Sequence, residues 1–90
     1  MVVSFPFSQE EKEDYLLREF KESVDSEELI WHRDKKDRVV EVIQSQDWMI
    51  QLDNELPIRL KEGRKYFIPK ETYHRVHKGK GDLVVKIYED

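Results

Sequence analysis

The chain carries three histidines, His32, His74 and His77, and no cysteine. Imidazole and carboxylate groups can ligate a cation or move a proton, so His32 and Asp34, two residues apart, come first. On a strand, side chains at i and i+2 point to the same side. Arg38 follows at close range. Its guanidinium offers a fork for a carboxylate or phosphate but no lone pair for a metal. A plainer reading stands beside this one. Each histidine can rest in a core or rim with one nitrogen on a backbone carbonyl, and Asp34 can simply pair with Arg33, Lys35 or Arg38. Other chemistries find no support. There is no glycine-rich phosphate loop, nucleophile elbow or cysteine–histidine pair. Ser4, Ser8, Ser23, Ser26 and Ser45 lack any context that would activate a hydroxyl.

The elements that would position these residues follow from periodicity. Ser8-Gln9-Glu10-Glu11 has the spacing of a capping box, and Leu16, Leu17, Phe20 and Val24 recur at helical intervals. This predicts an amphipathic helix over about residues 9–23. From Glu27 the period becomes two. Segments 28–33, 38–44, 47–52, 65–68, 72–77 and 83–88 read as short strands between polar or glycine-bearing turns. The expected architecture is all-β dominated: a β-barrel over residues 27–90 with residues 1–26 as an N-terminal helical extension, one domain in all. Within it, Ile30, His32 and Asp34 should share a face, as should His74 and Val76. His77 falls on the opposite face. Trp31 and Trp48 read as packing residues, and Glu41 and Arg75 as outer-face partners.

Length and charge narrow the classes further. Ninety residues make one core, marginal by itself, and without cysteine no disulfide can staple it. The formal net charge of −4 argues against a nucleic-acid binder, which normally presents a basic field. Residues 1–29 hold nine acidic and three basic groups, and residues 59–80 eight basic and two acidic. No apolar run approaches the ~20 residues of a membrane span, and Met1 to Ser8 does not read as a signal peptide. A cytoplasmic, soluble protein is expected. Leu29, Trp31, Val39 and Ile43 should face away from the barrel interior, and such a patch predicts a homodimer.

Gly63-Arg-Lys-Tyr-Phe-Ile-Pro69-Lys-Glu71-Thr-Tyr-His74 resembles the second conserved motif of the cupin superfamily, with Glu71 replacing that motif's second glycine. His32-Arg33-Asp34, running on through Arg38 to Ser45, looks like a degraded first motif. Asp34 stands where a second histidine would be and Arg38 where a glutamate would be. Trp31-His-Arg-Asp, Asn54-Glu-Leu-Pro and Tyr73-His-Arg-Val also look like short single-domain cupins encoded in tailed-phage genomes. The resemblance covers about residues 29–88. It implies that His32, Asp34 and His74 bind one divalent transition metal (iron, manganese, nickel or zinc) as a two-histidine, one-carboxylate triad. It further implies that Arg38 either pairs with Asp34 or anchors a small anionic ligand. A metal-dependent enzyme, a non-catalytic binder and a metal-free scaffold acting as a structural or interaction module all remain open at this stage, because the fold serves many functions.

Overall fold

The computed structural model describes residues 5–90, and its regular secondary structure is almost wholly strand. Ser4, named above among the hydroxyls, lies outside the described residues. The strands are β1 (Ser8–Glu11), β2 (Leu16–Phe20), β3 (Arg38–Gln46), β4 (Met49–Leu52), β5 (Ile58–Arg59), β6 (Lys65–Ile68), β7 (His74–His77) and β8 (Lys80–Glu89). A single 3-10 turn at Ser26–Glu28 is the only helical element among the described residues. One sheet has the order β1-β2-β8-β3-β6 and the other β5-β4-β7, every pairing antiparallel. The expectation of β structure holds, but no ladder among the described residues joins the two sheets into a closed barrel.

The expected N-terminal helix is absent. Residues 8–20 form a hairpin, with Ser8 opposite Glu19 and Glu11 opposite Leu16, and β2 then pairs along β8 from Leu16–Ile87 to Phe20–Leu83. The physical reason lies in Arg18. Leu16, Arg18 and Phe20 alternate inward along β2, but the middle residue of this period-two pattern is charged, so the apolar residues alone mimic helical spacing. Arg18 is only 9% exposed. The hairpin therefore belongs to the sheet and is no external extension.

Segment 28–33 is the second correction. It is not a regular strand: after the 3-10 turn it touches the sheet only through an isolated bridge between His32 and His74. Leu29 turns into the core at 4% exposure, whereas Ile30 and Trp31 are exposed. Leu29 is thus unavailable to an outer patch. Trp31 lies at the surface, with the Arg75 guanidinium 5.9 Å from its ring centre. The core joins Val40, Val42, Ile68, Leu83, Val85 and Ile87 of the larger sheet to Ile50 of the smaller, with Trp48 and Leu60 between. Gly79 is confined for a simple reason. A Cβ there would fall inside contact distance of the Gln46 carbonyl and the Trp48 amide, so only glycine lets the β7–β8 turn approach the β3–β4 turn.

Candidate metal site and the cavity beside it

His32 and His74 are brought together by backbone pairing. The His32 amide donates to the His74 carbonyl at 3.0 Å and the His74 amide donates back to the His32 carbonyl at 2.8 Å. A reciprocal pair of this kind places the two side chains on the same side, and the imidazole centres lie 4.2 Å apart. Two residues on, the Asp34 carbonyl accepts from the Glu71 amide at 2.7 Å, which holds the extended segment against the turn that precedes β7. Glu71 has φ +61°, a left-handed conformation that glycine adopts without strain. This is the position where the motif carries its second glycine.

One potential ligand atom from each of His32, Asp34 and His74 lies within 4.8 Å of the others. His74 is buried at 3% exposure and Asp34 is partly buried, while His32 stands at the open side. The Nδ1 of His74 sits 2.9 Å from the Thr72 carbonyl, and that of His32 sits 3.2 Å from the Ile30 carbonyl. A carbonyl only accepts, so both Nδ1 atoms carry the proton and both Nε2 atoms present a lone pair in the neutral ring. His74 Nε2 lies 3.3 Å from Asp34 Oδ2. That oxygen is buried and has no hydrogen-bond partner among the described residues.

Arg38, on β3, places Nη1 3.1 Å from Asp34 Oδ2 and Nε 2.8 Å from Glu89 Oε2. The first contact is an ion pair by distance but is not aligned as a hydrogen bond, whereas Nε donates to Glu89. Asp34, the internal partner considered for Arg38, is therefore present, and Glu89 joins it. His77 lies apart, its Nε2 2.8 Å from Gln51 Oε1. Trp48 packs, at 0% exposure. Glu41 accepts from the Tyr88 hydroxyl.

Burial holds the His74 imidazole below its ordinary pKa of 6.5, and the positive fields of His32 and Arg38 add to this. The Thr72 carbonyl and Asp34 oppose it without prevailing. Below about pH 6.5 the unfolded chain therefore binds a proton that folded, metal-free protein resists. Stability from this group is present above 6.5 and is lost as pH falls from there toward the depressed folded value. Thermal melts in chelator between pH 8 and pH 5 should show this decline, and His74→Phe should flatten it.

Next to the triad lies a cavity of about 440 Å³, lined by Arg18, His32, Asp34 and Arg38 together with Phe7 and Leu29, among others. This volume is within the roughly 300–1,000 Å³ usual for small-molecule sites. Arg18 is the residue that sequence reasoning missed. Its signal was a charge at the inward position between Leu16 and Phe20, legible only once β2 is read as a strand.

Structural comparison settles the fold. A cupin-2 domain-containing protein from Shewanella frigidimarina NCIMB 400 superposes with a TM-score of 0.67 at 25% identity, over 92% of this chain and 80% of that one. The chain has the cupin fold. A cupin domain from Bordetella pertussis Tohama I aligns over 100% of this chain and 99% of its own, with a TM-score of 0.58 and 15% identity. A structure described as DMSP lyases RdDddP and RnDddQII gives a TM-score of 0.70 at 16% identity. That alignment takes in 83% of this chain but only 36% of the lyase chain. No family model matches the sequence, and no curated protein matches it significantly. No helix among the described residues is long and apolar enough to cross a membrane.

Proposed function

We propose that this cupin-fold protein binds one divalent transition-metal ion through His32, Asp34 and His74, with a small molecule held in the adjoining cavity. The observation that carries the reading is Asp34 Oδ2, buried without a hydrogen bond and facing the lone pair of His74 Nε2 at 3.3 Å. Two acceptors facing each other repel unless a proton or a cation lies between them. The environment of His74 disfavours the proton, and a metal ion satisfies both atoms. Nδ1–H bonds from ligand imidazoles to backbone carbonyls are the usual way a protein fixes the Nε2 tautomer for a metal. Two imidazoles and a carboxylate suit iron, manganese, nickel or zinc better than calcium or magnesium. Such an ion, when bound, would supply Lewis acidity and open positions for a ligand. Titration calorimetry of chelator-stripped protein with each metal is the test. Saturable uptake is expected for wild type and loss of it for His32→Ala and His74→Ala. A wild type that takes up none of the four ions sinks the proposal.

The second reading, a metal-free scaffold acting as a structural or interaction module, is favoured by the Arg38 contacts. In it, Asp34 is already neutralised by an arginine that Glu89 also holds. Arg38→Met separates the two. Under the metal reading, removing a repelling cation tightens metal binding. Under the scaffold reading no metal binds, and two carboxylates lose their partner at a cost of about 2–3 kcal/mol, discounted for partial exposure.

The homodimer belongs to the same proposal. Val39 pairs with Phe67 across β3 and β6, and Phe67 and Ile43 are 59% and 44% exposed. Exposed apolar residues on an outer sheet face, here flanking Glu41 and Lys65, suit a second copy across a two-fold axis. Light scattering should give twice the 11.0 kDa chain mass, and Phe67→Glu should halve it. A wild-type monomer at micromolar concentration would remove the dimer.

A further inference from the structure

The two arginines on the inner face of the larger sheet differ in one respect. Arg38 has two carboxylates within ion-pair distance, whereas Arg18 has none within 4 Å among the described residues. Gln9 Oε1 accepts from Arg18 Nε at 2.8 Å and from Nη2 at 2.6 Å, and the guanidinium carbon lies 3.8 Å from the centre of the Phe7 ring. A neutral amide and an aromatic face thus hold a buried cation, and Nη1 is taken by no acceptor among the described residues. Burying a charge without an opposite charge is costly, and this one borders the cavity beside the triad. Glu28 also lines that cavity, but it is exposed and makes no ion pair with Arg18.

We propose that the cavity binds a small organic monocarboxylate with an apolar body, the carboxylate on Arg18 and the body against Phe7, Phe20 and Leu29. The inference deepens the metal-site reading, resting on it only in taking the cavity beside the triad as the ligand's place. Gln9 holds the Nε–Nη2 edge, but Nη1 and the second N–H of Nη2 leave an end-on fork that matches one carboxylate in a bidentate pair. A phosphate dianion fits less well, because Asp34 and Glu28 also face the cavity and would repel its second charge. Aromatic and aliphatic side chains supply most of the remaining wall, as expected where apolar area binds and one polar group orients. Burial and the like charge of Arg38 pull the Arg18 pKa down to about 10 against the longer-range fields of Asp34 and Glu89, so the group is still cationic at neutral pH.

The test is an amide-resolved NMR titration of the chain with phenylacetate, 2-phenylethanol and inorganic phosphate, first in chelator and then with zinc. Saturable phenylacetate binding at the cavity is expected, at least tenfold tighter than the alcohol and not displaced by equimolar phosphate. Arg18→Met, which keeps volume and removes the buried charge, should remain folded and lose at least tenfold in phenylacetate affinity. Should Arg18→Met fail to fold, Arg18→Lys decides, with several-fold weaker binding expected because the charge stays and the fork is lost. No saturable phenylacetate binding in either state, equal affinity for acid and alcohol, displacement by phosphate, or an Arg18 variant that binds like wild type each overturns the proposal. Failure of the metal reading would appear separately, as absence of zinc uptake with phenylacetate binding intact.

Discussion

Asp34→Asn should abolish measurable metal uptake while leaving the thermal midpoint of metal-free protein within a few degrees of wild type. The amide has nearly the shape of the carboxylate but no charge, and a neutral oxygen is a far poorer ligand for a divalent ion. The loss of affinity should exceed the ~10–100-fold that removing a ligand's outer partner costs. Stability responds differently because of what surrounds Oδ2. In the wild type this oxygen is buried, lacks a hydrogen bond and faces a lone pair on His74. The side-chain amide introduced by the substitution would donate its N–H to His74 Nε2 and remove that conflict, a gain of about 1 kcal/mol. Against it stands the weakened contact with Arg38, which keeps Glu89 as its stronger partner at 2.8 Å. The two changes are similar in size. A group that can be replaced without loss of stability, yet with loss of binding, is one retained for function. Calorimetric titration and thermal melts on the same samples check both halves. An Asp34→Asn variant that binds metal like wild type would reduce Asp34 to an ion-pair partner.

Trp48→Ala should lower the unfolding free energy by about 3–5 kcal/mol, the range for deleting a buried aromatic side chain. Trp48 is fully buried at the start of the smaller sheet, its ring centre 6.0 Å from that of Phe20. Its indole N–H is shared between the carbonyls of Lys80 and Gly81, each at 3.2 Å. The side chain therefore ties three separate parts of the chain together: β2, the β3–β4 turn and the start of β8. Truncation leaves a cavity and removes the donor those carbonyls use. A domain of this size has a stability near the low end of the usual range of about 5–15 kcal/mol, so the variant should be largely unfolded at about 37 °C. Trp48→Phe, which keeps most of the volume, should cost distinctly less. Urea denaturation followed by circular dichroism measures both, and a loss below about 1 kcal/mol for Trp48→Ala would contradict the packing described.

Much of the scaffold could be read from local pattern. The span 65–68 of β6 coincides with the expected segment, and β3, β4, β7 and β8 overlap theirs, because alternating apolar residues between polar turns have few other uses. The resemblance of Gly63 to His74 and of His32 to Arg38 likewise selected the residues that the fold gathers within 4.8 Å. Residues 8–20 and 28–33 depart from the sequence pattern for two different reasons. A helix assignment rests on apolar spacing, and Arg18 removed the apolar signal from the middle of β2, while residues 28–33 alternate in sequence without a continuous ladder to pair with.

What the sequence by itself determined is therefore the β class and the candidate group His32, Asp34 and His74 that the fold brings together, since residue type and motif spacing are local properties of the chain. Only the tertiary structure decided how these groups are paired and buried. The bridge between His32 and His74, the pairing of Arg38 with Glu89 across 51 positions of sequence, and the burial of Arg18 beside a cavity all join distant segments. Desolvation and Coulomb interaction depend on distance through space, which chain spacing does not encode.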